Sequence, residues 1–220
     1  YEELDMKEIG EQETIGFTRP RDMSAFNEDS IRWLFNTDYN PPVKFGDLKE
    51  IPRCVWVAID PTGGGSGSEL GIVSALYDRG HQIIVGLEAI PALSMEDYMP
   101  SVLQHMHEIR KLPGLRNVII VLALESNMGL PSREIKKVLA QGGPEGRRAV
   151  KDLIFLSNTG FEVNNRRLDQ VSRSNQNGIC TTTEFKEAMY ARYLALVKNK
   201  QLQFYEKIAS CYNPRSMPVE

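Results

Sequence analysis

Two acidic residues each close an apolar run. Val55 to Ile59 ends in Asp60, and Val118 to Leu124 ends in Glu125. A carboxylate at the end of a buried strand must be solvated, hydrogen-bonded or metal-bound, because a lone buried charge is strongly disfavoured. Two such carboxylates side by side could share hard divalent cations such as Mg2+ or Mn2+, which prefer oxygen ligands. A two-metal site would activate a water on one ion and stabilise the leaving oxygen on the other, and it normally takes a third acid to hold both ions. Plainer readings stand beside this one. Asp60 with Pro61 could be an Asp–Pro turn whose side chain accepts backbone N–H bonds, and Glu125 could be a solvent-facing acid at a strand exit.

Other chemistries find less support. Gly63, Gly64, Gly65 and Gly67 invite a phosphate-loop reading, but the Gly-Lys-Ser/Thr ending is missing and a strand, not a helix, follows. The run reads as a flexible loop beside Asp60. His81, His105 and His107 have no Cys or acid at ligand spacing and read as surface or structural histidines. No local signature of a Ser/His/Asp or Cys/His hydrolase occurs. The three cysteines, Cys54, Cys180 and Cys211, are far apart. They suit neither a disulfide framework nor a zinc site.

The elements that must position the two acids can be read in order. Val55 to Ile59, Leu70 to Leu76 and Gln82 to Ile90 are strands, with a hairpin loop at Tyr77–Gly80. Together they predict an antiparallel meander. Ser94 opens a helix to about Arg110, with Tyr98, Val102, His105 and Ile109 at helical spacing. Val118 to Leu124 is a fourth strand. Ser132 is expected to cap a helix over Arg133–Ala140. Leu153 to Leu156 is a fifth strand, Thr183 is expected to cap a helix from Glu184 to about Lys198, and Leu202 to Tyr205 is a short strand. This order predicts an α/β fold: a mixed sheet with helices on its faces, as in RNase H-like nucleases and integrases. In that order the first and fourth strands are parallel neighbours, so Asp60 and Glu125 would meet.

Residues 1–52 differ: they are rich in charge, Asn and Pro, with a short helix expected over Glu28–Phe35 before Asn40-Pro41-Pro42 stops it. They read as a linker or arm packing on a domain of residues 53–220. The chain opens on Tyr1, not Met, and reads as an excised fragment. Its net charge is −3 over 220 residues, with a pI of about 5.8. A dedicated nucleic-acid binder is usually basic, so any such contact must be local. Local basic groups are Arg133, Lys136 and Lys137; Arg147, Arg148 and Lys151; and Arg166, Arg167 and Arg173. They read either as solvated faces or as phosphate contacts. No apolar run approaches the ~20 residues that span a bilayer, so no membrane partner is expected.

Three segments resemble the nuclease domain of the large terminase subunit, the DNA-packaging motor of tailed phages and herpesviruses. VWVAIDPTGGGSGSELGIVSA is similar to the family's first acidic motif. VIIVLALESNMG is similar to the second, an apolar strand followed by Glu, a short gap, Asn and Gly. GICTTTEFKEAMYARYLALVKNKQLQFYE resembles a segment of Gly, paired Thr, Lys, a helix and a strand. The resemblance implies an RNase H-like fold and a Mg2+- or Mn2+-dependent endonuclease that cuts concatemeric double-stranded viral DNA during packaging. It makes Asp60 and Glu125 catalytic metal ligands. It implies a preceding ATPase domain joined through residues 1–52, and other terminase subunits and a portal as partners. The location would be intracellular: the host nucleus for a herpesvirus, the host cytoplasm for a phage. One departure matters. The family's third acid follows the strand resembling Leu202–Tyr205, and nothing there matches it, so residues 53–220 read as truncated at the C-terminus. Asp152 and Asp169 do not match the motif position, and a chain lacking the third ligand would bind metal poorly and be inactive. The alternatives are another RNase H-like nuclease, such as a junction resolvase or transposase, and a non-catalytic assembly module of the packaging motor, which the acidic net charge favours.

Overall fold

The computed structural model describes residues 40–61, 69–91, 95–127, 130–141, 152–156 and 178–211. Six strands form one sheet in the order β5-β4-β1-β2-β3-β6. They are β1 (Cys54–Asp60), β2 (Glu69–Asp78), β3 (His81–Pro91), β4 (Ile119–Leu124), β5 (Leu153–Phe155) and β6 (Leu202–Phe204). The helices are α1 (Met95–Lys111), α2 (Leu130–Gln141), α3 (Thr183–Lys198) and α4 (Glu206–Cys211). β1, β2 and β3 pair antiparallel, and Arg79–Gly80 make the turn between the last two. β4 joins β1 in parallel, β5 joins β4, and β6 joins β3. This is the mixed sheet that the element order predicts.

Side-chain alternation decides what each face becomes. On β1, Val55, Val57 and Ile59 are 0%, 0% and 2% exposed, while Trp56, Ala58 and Asp60 on the other face are exposed. The buried set packs with Leu70, Ile72, Ile120, Leu122 and Leu124 against Val102, Met106 and Ile109 of α1 and Ile135 and Leu139 of α2. Burying each such side chain contributes about 1.5–3 kcal/mol, which makes this the principal core. The opposite face is covered only in part. The C-terminal end of α3, through Leu196 and Val197, packs on Ala75, Ile84, Leu202 and Phe204.

Several local expectations shift. α2 begins at Leu130, so Ser132 lies inside its first turn and is not the cap. Its hydroxyl donates instead to the carbonyl oxygen of Glu125, tying the helix to the end of β4. α3 is capped by Thr182, not Thr183: its hydroxyl accepts the Phe185 N–H at 3.2 Å. The short helix over Glu28–Phe35, the Ser94 cap and the glycine-rich turn lie outside the described residues. Within the 40–52 stretch, Val43 bridges to Tyr205 and the Phe45 ring meets the Tyr205 ring edge-on at 4.8 Å, so this stretch packs against the core. No helix among the described residues is long and apolar enough to cross a membrane.

Candidate active site

Parallel register brings the two acids together. Ile59 is the partner of Leu124, and the Glu125 N–H donates to the Ile59 carbonyl at 2.9 Å. The next residues, Asp60 and Glu125, therefore leave their strands side by side on the partly covered face. Their carboxyl groups come within hydrogen-bonding reach of each other, so a proton on one can bridge to the other. That bond, with partial burial and the charge of Glu125, pushes Asp60 up to about 6, against a smaller opposing pull from Lys186. Glu125 moves the other way. The bond from Asp60 holds it below the usual carboxylate range, helped by Thr181 and Lys186 and opposed by burial. Of the two, Asp60 is the carboxyl that keeps a proton to higher pH, up to about 6, and Glu125 the one that ionises first, as expected when two carboxylates share one site.

A segment from much later in the chain completes the surroundings. Glu125 forms an isolated parallel bridge with Ile179. The Ile179 N–H donates to the Leu124 carbonyl at 2.6 Å, and the Ser126 N–H donates to the Ile179 carbonyl at 2.8 Å. Gly178 makes that approach possible: its φ is +151°, and a Cβ there would collide with the Leu124 carbonyl oxygen. Beyond the bridge, the Thr181 hydroxyl donates to Glu125 Oε1. Thr182 then starts α3, whose first turn sets Lys186 Nζ 3.9 Å from the same oxygen. A cavity of about 730 Å3 opens from the acid pair along the sheet, with Trp56 and Ala58 on one wall and Phe185, Met189 and Tyr193 on the other.

The donor set is all oxygen: two carboxyls, one of them held by the Thr181 hydroxyl. That suits a hard divalent cation, and the shared proton marks where positive charge is wanted. No cluster of three or more His, Cys, Asp or Glu occurs among the described residues. The described residues therefore fit one such ion completed by water, and they do not by themselves make a two-ion cradle.

The predicted basic groups divide. Arg147, Arg148, Lys151, Arg166, Arg167 and Arg173 lie outside the described residues. Of the first group, Arg133 is exposed, Lys137 lies 3.8 Å from Glu134, and Lys136 sits 5.5 Å above the Phe155 ring, where burial lowers its pKa. Lys186 and Thr181 are the residues that sequence reasoning passed over. They fall in the Gly–Thr–Thr–Lys segment, but nothing local shows that this segment returns to Glu125.

A second constellation also escaped the sequence. His105 is 2% exposed. Its Nε2 is 2.6 Å from Ser74 Oγ and its Nδ1 is 2.5 Å from Glu88 Oε1. Acid, imidazole and hydroxyl in that order are the parts of a hydrolase triad. Ser74 is 0% exposed, however, and α1 closes over it, so no substrate can reach its oxygen. The chain of bonds satisfies buried polar groups and pins α1 to the sheet.

No family model matches the sequence, and no curated protein matches it by sequence comparison. Solved structures do match by shape. The human cytomegalovirus terminase nuclease domain soaked in Mn superposes with a TM-score of 0.53 at 12% identity, covering 74% of this chain and 68% of that one. The Mn-soaked, inhibitor-bound form gives 0.52 at 13% identity, with coverage of 74% and 71%. The same domain without a soak gives 0.53 at 11% identity, with coverage of 76% and 74%. The chain has the RNase H-like fold of these nuclease domains.

Proposed function

We propose that this chain is a divalent-cation-dependent endonuclease, with Asp60 and Glu125 as its metal-binding acids and double-stranded DNA as its substrate. The observation that carries the reading is the meeting of those two carboxyls at the ends of parallel neighbours β1 and β4. The fold supports it, since it is shared with a terminase nuclease domain solved after soaking in Mn. When bound, a Mg2+ or Mn2+ ion would activate a water and stabilise charge on the leaving oxygen. The chain's own residues have separate tasks. Glu125, already ionised, offers its carboxylate. Asp60 offers the second carboxylate, giving up a proton on binding below about pH 6. Lys186 supplies a positive charge beside the acids that can turn to a phosphate oxygen. Contacts of this kind address the backbone and carry no base sequence.

The finer reading is a role in cutting concatemeric viral DNA during genome packaging, together with other terminase subunits and a portal. It entails the host nucleus for a herpesvirus or the host cytoplasm for a phage. The test is cleavage of supercoiled plasmid with Mn2+ at pH 7.5. Wild-type protein should nick and linearise it, and Asp60→Ala and Glu125→Ala should not. Equal cleavage by the double alanine variant would sink the metal-site proposal.

A second reading, a non-catalytic assembly module, draws on one observation: only two acids converge among the described residues. It predicts no cleavage and no Mn2+ binding by the wild type.

A further inference from the structure

The Asn127 side chain makes three hydrogen bonds to Thr181, which in turn bonds to Glu125. Its Nδ2 donates to the Thr181 carbonyl at 3.0 Å and to Thr181 Oγ1 at 2.7 Å. Its Oδ1 accepts the Thr181 N–H at 2.9 Å. The amide orientation is fixed by this pattern, because a backbone N–H can only donate and so must face the amide oxygen. The Nδ2 group then faces the hydroxyl and occupies a lone pair of Oγ1. The single hydroxyl proton of Thr181 is left to point at Glu125 Oε1, where the structure has it. With that oxygen committed, the Glu125 carboxylate cannot rotate freely.

We propose that Asn127 is a positioning residue of the candidate metal site. Through Thr181 it fixes the direction of the hydroxyl that holds Glu125 in place for a divalent cation. The proposal rests on the metal-dependent reading above. The backbone bridge at Ile179 already ties this segment to β4, so Asn127 is not needed to keep the segment in place. It is needed to orient one hydroxyl. Partners that orient first ligands in this way typically contribute ~10–100-fold to metal affinity.

The experiment is Mn2+ titration by calorimetry at pH 7.5 on the 220-residue chain. The proteins are wild type, Asn127→Ala, Thr181→Val, Thr181→Ser, the Asn127→Ala/Thr181→Val pair, and Glu125→Ala. Asn127→Ala and Thr181→Val should each weaken Mn2+ binding ~10–100-fold. The pair should lose no more than the worse single change, since both break one chain of bonds. Thr181→Ser, which keeps the hydroxyl, should bind like wild type. Thr181→Val probes the same link without altering Asn127, so the test does not depend on one variant folding. Wild-type affinity in Asn127→Ala, or losses that multiply in the pair, would overturn the proposal while Glu125→Ala still abolishes binding. Binding that Glu125→Ala leaves intact would overturn the metal reading, and this proposal with it.

Discussion

On the α1/α2 face of the sheet, Glu88, His105 and Ser74 form an unbroken chain of hydrogen bonds. On the α3 face, Asp60, Glu125, Thr181 and Asn127 form another. The parts are alike: acids, a hydroxyl and a nitrogen-bearing side chain. Their burial is not. Ser74 and His105 are 0% and 2% exposed and sealed under a helix, whereas Asp60 lies open beside a cavity of about 730 Å3. The closed chain satisfies its members completely and stabilises the fold. The open one leaves two carboxyls facing each other, sharing a proton below about pH 6 and both charged above it, an arrangement that a cation would improve. Parts that could do chemistry are present twice, and access decides which set can use them.

If that contrast is right, the two sites should fail in opposite ways. Glu125→Ala should lower Mn2+-dependent cleavage at least ~100-fold, about 3 kcal/mol of transition-state stabilisation, and leave chemical stability near wild type. His105→Ala should do the reverse. It opens a cavity and strands the buried Ser74 hydroxyl, for about 2–4 kcal/mol of lost stability in urea denaturation. Mn2+ affinity at a temperature where the variant is folded should not change. A loss of Mn2+ affinity in His105→Ala would break the division between the faces.

Each chain of bonds closes over a glycine, and these give the next effects in size. A Cβ on Gly86 would stand 2.8 Å from His105 Cε1, and one on Gly178 would strike the Leu124 carbonyl. Gly178→Ala should cost about 1–3 kcal/mol of local strain. The cost falls on the 178–182 segment, so hydrogen exchange should show lost protection at Ile179 and Ser126 while the α1/α2 core keeps its own. Equal loss in both regions would mean that the bridge is part of the core, not an attachment to it.

How much of this was legible beforehand follows from contact range. Asp60 and Glu125 could be found because each ends a strand whose apolar pattern is local, and their meeting follows from strand order. The sheet itself was readable for the same reason. The third strand's partner β6 and the return of Gly178–Thr181 to β4 were not, because they are set by contacts that no periodicity records. Thr181 sits in a run of three threonines, any of which can cap a helix; only the bridge at Ile179 shows that Thr181 is spent on Glu125 and Thr182 on the cap. His105 looked like one more apolar-face position of α1, and its partners lie on two strands earlier in the chain. The third acid expected from the resemblance has no counterpart among the described residues.

Proton sharing gives the open site a pH dependence. Below about 6 Asp60 keeps its proton, and a cation must displace it. Mn2+ affinity should therefore rise about tenfold per pH unit between pH 5 and 6, with one proton released per ion, and level off above. Calorimetry in buffers of different ionisation enthalpy reads the released proton directly. A flat profile across that range would mean that Asp60 is not the group displaced.

The smallest effect is the most diagnostic of strain at the acid pair. The folded state raises the Asp60 pKa from 3.8 to about 6, so protonation favours folding. That contribution is complete below about 4 and is lost as pH rises through about 6, where both carboxyls become charged and face each other. Asp60→Asn keeps a donor to Glu125 at every pH and avoids the repulsion. The variant should match wild type near pH 4.5 and exceed it at pH 7.5 without metal. The gain should stay under about 1 kcal/mol because Asp60 itself is solvent-exposed, which corresponds to roughly 2–4 °C in Tm for a domain of this size. Added Mn2+ should reverse the order, since only the wild type gains from binding. A gap between the two proteins that does not change with pH would mean that the acids do not share a proton. A gap that opens with pH but is not reversed by Mn2+ would mean that the site holds a proton and no cation.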